Sequence, residues 1–197
     1  MRFPELKIFG YIAMAAPVLF VVVWMMSAAF DGSWRFGVNS LSDLGISDNA
    51  VSAFLFNFGC MIAGIMGMFV GFGLFEYGRR TLKVGGIIYI IGMLFLSLVG
   101  VFTLDNFNMH FIVATTFSVA GGIGIVVSSI SDWKVSWYLY ADVFLIATTV
   151  IFTLTTPFEM WEPVATIASM TWVFITGIKM LRNEEELFTG TPLTGGR

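Results

Sequence analysis

The residues of this chain that could do chemistry are few, and they lie in short polar segments between long apolar runs. His110 is the only histidine, and the segment "TLDNFNMHF" places Asp105 and Asn108 shortly before it. A carboxylate close to an imidazole can orient that imidazole as a general base. The spacing predicts such a base at this turn. A polar turn with an interfacial histidine explains the same residues without catalysis.

A second polar segment, "NSLSDLGISDN", runs from Asn39 to Asn49. Ser40 is predicted to cap a short helical turn, with Asp43 in the capping-box position and Gly45 at the end of the turn. This stretch would form a small lid over the bundle. In a catalytic interpretation, Ser40 or an activated water is the nucleophile, His110 the base, and Asp43 or Asp105 the orienting group. A capped connector without chemistry is the competing interpretation.

Polar and aromatic residues around these segments are candidates for binding a ligand. The set is Asn39, Ser42, Asn57, Asp105, Asn108 and Trp161. His110, Asp43, Asp105 and Glu162 could supply nitrogen and oxygen ligands to a cation, but no pair of histidines or cysteines has the spacing of a zinc site. The sequence therefore predicts no metal and no cofactor.

The composition identifies the class of protein that must position these residues. Of 197 residues, 57% are hydrophobic and 12% charged, and the mean hydropathy is +0.88. A soluble domain carries about 25% charged residues. Apolar runs long enough to cross a bilayer core of roughly 30 Å recur along the chain. The expected fold is an all-α, polytopic integral membrane bundle.

Two classes of partner or cross-link are excluded by the same composition. The formal charge is −3 and no basic stripe is present, so nucleic acid is not an expected partner. Cys60 is the only cysteine, which rules out an internal disulfide bond. Membrane lipids are the expected partners.

Six transmembrane helices are predicted, and they define one domain over residues 1–182. Their predicted ranges are about 8–30, 50–75, 84–104, 109–130, 136–155 and 164–181. Residues 183–197 are polar and glycine-rich, and they are predicted to form a disordered cytoplasmic tail.

The distribution of basic residues predicts the orientation. With the N-terminus inside, the cytoplasmic segments hold Arg2, Lys7, Arg79, Arg80, Lys83, Lys134, Lys179, Arg182 and Arg197, and the outer segments hold Arg35. This bias predicts a multi-pass protein of the cell membrane with both termini in the cytoplasm. The outer segments are acidic, since they contain Asp31, Asp43, Asp48, Asp105, Glu159 and Glu162.

The helices contain small residues and few charges. Cys60, Gly64, Gly67 and Gly71 form a stripe on helix 2, and Ala120–Gly124 is similar on helix 4. Such stripes allow close helix packing and permit a homo-oligomer. Asp142 lies within helix 5 and is a functional candidate by its burial in a span. Helices 3 and 6 are predicted to carry no charge deep inside, which disfavours a transporter.

Three segments together resemble a known family. They are "NSLSDLG", "FNFGCMIAGIMG" and "LVGVFTLDNFNMHFIVATTF". They resemble the family called domain of unknown function 998, six-helix membrane proteins of archaea and bacteria. They are also distantly similar to the eukaryotic Frag, DRAM and Sfk membrane proteins. The resemblance covers residues from about 10 to 180.

The resemblance implies the six-helix fold and a lipid-related theme, because some eukaryotic relatives remodel lipid anchors or organise membrane lipids. By motif position it points to Ser40, Asp43, Gly45 and His110. It implies no catalytic mechanism. Two functions therefore stay open: binding of a lipid or small amphipathic ligand in an outer polar pocket, or a lipid-modifying hydrolase or transferase that uses His110 with Ser40, Asp43 and Asp105.

Overall fold

The computed structural model describes residues 3–131 and 136–182. Six long helices are present: α1 (Phe3–Asp31), α2 (Ala50–Tyr77), α3 (Arg80–Val99), α4 (Phe107–Ser129), α5 (Ser136–Thr155) and α6 (Phe158–Leu181). Two short 3₁₀ helices, Ser42–Ile46 and Leu104–Asn106, lie before α2 and α4. All six long helices are long and apolar enough to span a bilayer. The predicted polytopic all-α membrane bundle is confirmed.

Several helix ends differ from the predicted ranges. α1 begins at Phe3 rather than near residue 8, and α3 ends at Val99 rather than near 104, with Gly100 as its C-cap. α6 begins at Phe158 rather than near 164, because the extended residue that precedes it is Pro157 and the helix continues through Pro163. A proline inside a helix removes one backbone hydrogen bond. The predicted tail at 183–197 lies outside the described residues.

The helices form an open ring in the order α4, α3, α2, α1, α6, α5. Neighbours in this order pack along one another, whereas α4 and α5, at its two ends, make little contact. Gly64, Gly67 and Gly71 of the α2 stripe and Gly124 of the α4 stripe lie against α3. A Cβ added to Gly92 of α3 would lie 2.5 Å from the backbone nitrogen of Gly121 in α4. Glycine at these positions therefore lets the helix backbones touch.

The segment 32–49, here called the outer loop, closes one end of the bundle. That end, called the loop end, also carries the connections after α3 and α5. Leu41 and Leu44 of the outer loop are buried, and they pack in a core cluster with apolar side chains of α1, α2, α3 and α4. The other members of this cluster are Phe20, Trp24, Phe56, Cys60, Val99 and Val113. The outer loop is thus part of the folded core.

The opposite end of the bundle contains a buried ion pair. Nζ of Lys179 in α6 lies 3.9 Å from Oδ2 of Asp142 in α5 and 4.6 Å from the ring centre of Tyr138. Asp142 is 1% exposed and Lys179 is 5% exposed. Lys179 lies two residues before the end of α6 at Leu181, so the prediction that helix 6 carries no charge deep inside stays a prediction, but the side chain of Lys179 turns inward toward α5.

Candidate functional site

The ends of the outer loop are fixed to α1 by a carboxylate and an amide. Asp31 accepts hydrogen bonds from the backbone N–H groups of Ser33 (3.0 Å) and Trp34 (2.6 Å), and from the hydroxyl of Ser47 (2.6 Å). The side chain of Asn49 donates to the carbonyl of Phe30 (2.8 Å) and caps α2. These bonds hold a polar segment in one conformation over the bundle.

The middle of the outer loop contains the predicted capping box. The backbone N–H of Ser40 donates to Oδ2 of Asp43 (2.8 Å), and the backbone N–H of Asp43 donates to the hydroxyl of Ser40 (3.2 Å). The indole of Trp34 donates to the carbonyl of Ser40 (2.8 Å). These bonds satisfy the backbone N–H groups of Ser40 and Asp43 at the start of the 3₁₀ helix. The reciprocal bonds predicted for Ser40 and Asp43 are present, although the residue at the N-cap of the 3₁₀ helix is Leu41, one position later than predicted.

The histidine of α4 points into the bundle at the loop end and is only 6% exposed. Nδ1 of His110 lies 2.7 Å from the carbonyl oxygen of Phe102, and Nε2 lies 3.1 Å from the hydroxyl of Ser42. A carbonyl oxygen only accepts hydrogen bonds, so Nδ1 carries a proton. In the neutral imidazole, Nε2 is therefore an acceptor that faces a serine hydroxyl.

The same hydroxyl also faces a carboxylate from the last helix. The Ser42 hydroxyl lies 3.3 Å from Oε1 of Glu162, and the backbone N–H of Leu41 donates to Oε2 of Glu162 (2.7 Å). The cluster formed by Phe102, His110, Ser42, Glu162 and the Leu41 N–H is called the loop-end cluster below. It joins three parts of the fold: the outer loop, α4 with its preceding turn, and α6.

The number of protons in the loop-end cluster limits its states. A serine hydroxyl has one proton, so Ser42 donates to either His110 or Glu162. If His110 is neutral, Ser42 donates to its Nε2, and a protonated Glu162 completes the chain by donating to Ser42. If His110 is charged, it donates to Ser42, which donates to an ionised Glu162. The two states interconvert when the Glu162 proton moves to the Ser42 oxygen and the Ser42 proton moves to Nε2 of His110. Both states leave every group of the chain hydrogen-bonded.

The other predicted site residues lie around this cluster with different partners. Asn57 of α2 donates to the carbonyl of Gly45 (2.8 Å), and Asn39 accepts from the backbone N–H of Arg35 (2.9 Å). Asp105 is exposed and accepts from Thr103 (3.2 Å). Asn108 is also exposed. Trp161 is half-buried and meets the ring of Phe158 edge-on at 5.2 Å.

The structure therefore brings together a different set from the one predicted. The hydroxyl beside His110 belongs to Ser42, predicted as a binding residue, while the Ser40 hydroxyl bonds the backbone of Asp43. From the sequence, Glu162 is predicted only as an acid of the outer segments and as one of four possible cation ligands. Its role could have been predicted from its position one turn into α6, level with the outer loop. Within the described ranges, no group of three or more His, Cys, Asp or Glu side chains could hold a metal ion.

Fold and site together define a polytopic six-helix membrane protein with a polar cluster buried at one end. The sequence matches the family described as "Protein of unknown function (DUF998)" over residues 14–179. This match covers most of the chain, so the chain belongs to that family, as its motifs indicated. Neither the curated proteins nor the solved structures gave a match.

Proposed function

We propose that this protein binds the head group of a membrane lipid, or a similar small amphipathic molecule, at the loop-end cluster, on the extracytoplasmic side of the cell membrane. The observation that carries the proposal is the chain of contacts from His110 through Ser42 to Glu162, in which His110 and Ser42 are buried and Glu162 is half-buried. Polar groups buried within a membrane end are costly unless they are functional or well satisfied. Here they lie where a lipid head group would lie.

The charges around the cluster support a particular kind of head group. Glu162 is in the cluster, and Asp43 and Asp105 are at the same end, whereas the guanidinium of Arg35 is already bonded to carbonyls of the loop. These carboxylates would repel a phosphate group whose charge no neighbouring cation neutralises. The supported ligand is a lipid whose head group donates hydrogen bonds through hydroxyl or amine groups.

Native mass spectrometry in mild detergent tests the proposal. The delipidated protein is offered a hexosyl diacylglycerol and phosphatidic acid at equal concentration. We expect wild type to retain the hexosyl lipid, and His110→Ala to lose it. Asn108→Ala is the matched control, because Asn108 is exposed near the start of the same helix. Equal retention of both lipids by wild type, or unchanged retention in His110→Ala, would contradict head-group binding at this cluster.

A second candidate function is transfer or hydrolysis of a lipid acyl group, and the 3.1 Å contact between Ser42 and His110 favours it. In that reaction the Ser42 oxygen attacks an ester carbonyl carbon, and the bond to the leaving alcohol breaks. Nε2 of His110 takes the serine proton and delivers it to the leaving oxygen. The carbonyl of Phe102 holds the ring in the required tautomer.

A fluorophosphonate probe separates the two functions. Labelling of Ser42 in wild type, located by peptide mass spectrometry and lost in His110→Ala, would support acyl transfer. Binding alone leaves Ser42 unlabelled while the hexosyl lipid is still retained. Ser40→Ala is the control, since the Ser40 hydroxyl is used in the capping box.

A further inference from the structure

A cavity of about 410 Å³ lies at the opposite end of the bundle, between the start of α1 and the end of α2. Its walls are Ile8, Phe9, Phe72, Glu76 and Tyr77. The cavity is shallow and open to the surface of the bundle. The loop-end cluster shares no residue with it, so it is a separate candidate site.

Aromatic rings form most of the cavity wall. The ring centre of Phe9 lies 5.8 Å from that of Phe72 and 6.0 Å from that of Tyr77, and the rings are tilted by 54° and 47°. Phe9 is held close to α2, because a Cβ on Gly73 would lie 2.8 Å from the Cβ of Phe9. The faces of aromatic rings are electron-rich and attract cations, so three rings in the wall of one cavity favour a cationic ligand.

A carboxylate completes the wall. Glu76 is exposed, and within residues 3–131 and 136–182 it forms no ion pair. The same end of α2 already places a cation on an aromatic ring, since Nζ of Lys83 lies 5.6 Å from the ring centre of Phe75. A carboxylate with aromatic faces beside it is the arrangement that binds ammonium groups.

The position of the cavity indicates the source of the ammonium group. The membrane span of α1 begins at Leu6 and that of α2 ends at Tyr77, so the cavity lies at head-group depth. Exposed apolar side chains at its edge, Ile8 and Phe72, continue onto the lipid-facing surface. Arg80 and Lys83 are exposed at the start of α3, at the same end of the bundle, and attract phosphate.

We propose that this cavity binds the ammonium head group of a zwitterionic phospholipid from the leaflet at the opposite end. The ammonium group lies among the rings of Phe9, Phe72 and Tyr77, and Glu76 balances its charge. The lipid phosphate lies toward the cations at the start of α3. This site is independent of the proposed function at the loop end.

The test is a competition measured by native mass spectrometry. The delipidated protein is incubated with phosphatidylcholine and phosphatidylglycerol of equal chain length at equal concentration. We expect wild type to retain phosphatidylcholine about tenfold more than phosphatidylglycerol. Phe72→Leu and Glu76→Gln each remove this preference. Phe72→Tyr, which keeps the ring, retains it and shows that the fold tolerates a change at this position.

Matched controls separate the cavity from the general surface and from the loop end. Phe69→Leu changes another lipid-exposed phenylalanine of α2 outside the cavity, and Asp48→Asn removes an exposed acid at the loop end. Both are expected to keep the preference. Equal retention of the two lipids by wild type overturns the proposal, and so does an equal loss in Phe69→Leu and Phe72→Leu.

Discussion

The Ser42 hydroxyl and Oε1 of Glu162 lie 3.3 Å apart, although 120 positions separate these residues in the sequence. With the 2.7 Å bond from the Leu41 N–H to the same carboxylate, this contact fixes the outer loop to the last helix. Because Ser42 also contacts His110, one hydroxyl joins three elements of the fold. A change at Glu162 therefore affects both the position of the loop and the environment of the histidine.

Removal of the Glu162 carboxylate is expected to release the outer loop. Glu162→Ala leaves the Leu41 N–H without its acceptor, at a cost of about 1–3 kcal/mol if that group stays buried, and removes one of the two partners of the Ser42 hydroxyl. We expect faster cleavage of residues 32–49 by added protease in detergent. Glu159→Ala, in the first turn of the same helix, is the control and should be cleaved at the wild-type rate. Equal cleavage of both variants would show that Glu162 does not hold the loop.

Local pattern was sufficient to predict the helices and the capped turn. Each span is an apolar run of bilayer length, and the capping box of Ser40 and Asp43 depends on residues three positions apart. The partner of His110 could not be predicted in this way. Ser40 and Ser42 are both plausible from the sequence, and only the fold shows that the hydroxyl of Ser40 is used by the backbone of Asp43.

The role of Glu162 was hidden by a misplaced helix start. The predicted range of helix 6, about 164–181, leaves Glu162 in the loop before the helix. In the fold the helix begins at Phe158, and Glu162 lies one turn inside it. Likewise, Lys179 was assigned to the interface because of its charge, and its contact with Asp142 depends on how α5 packs on α6.

Two glycines test the close contact between α3 and α4. Gly92→Ala places a methyl group 2.5 Å from the Gly121 nitrogen, so the helices must separate. We expect a loss of about 1–3 kcal/mol in the free energy of unfolding by dodecyl sulfate. Gly122→Ala is the matched change, because nothing lies within 4 Å of its Cβ position. It should be neutral or stabilise by up to about 1 kcal/mol. Equal effects would contradict the packing.

The buried pair of Lys179 and Asp142 predicts that a single variant loses much more unfolding free energy than the double variant. Lys179→Met removes the cation beside the buried Asp142 carboxylate, with an expected cost of about 3–5 kcal/mol in unfolding free energy. The double variant Lys179→Met with Asp142→Asn removes both charges and should recover most of that loss. Lys83→Met, at an exposed lysine near the same end, is the control. A double variant no more stable than Lys179→Met would contradict a coupled pair.

The orientation predicted from the basic residues can be tested by labelling intact cells. In a Cys60→Ser background, single cysteines replace Asp48 at the loop end and Lys83 at the opposite end, two exposed positions. A membrane-impermeant maleimide should label Asp48→Cys in intact cells and Lys83→Cys only after lysis. This is because basic segments stay in the cytoplasm, and Arg79, Arg80 and Lys83 follow α2 directly. The reverse pattern would place the loop-end cluster on the cytoplasmic side and overturn that part of the proposed function.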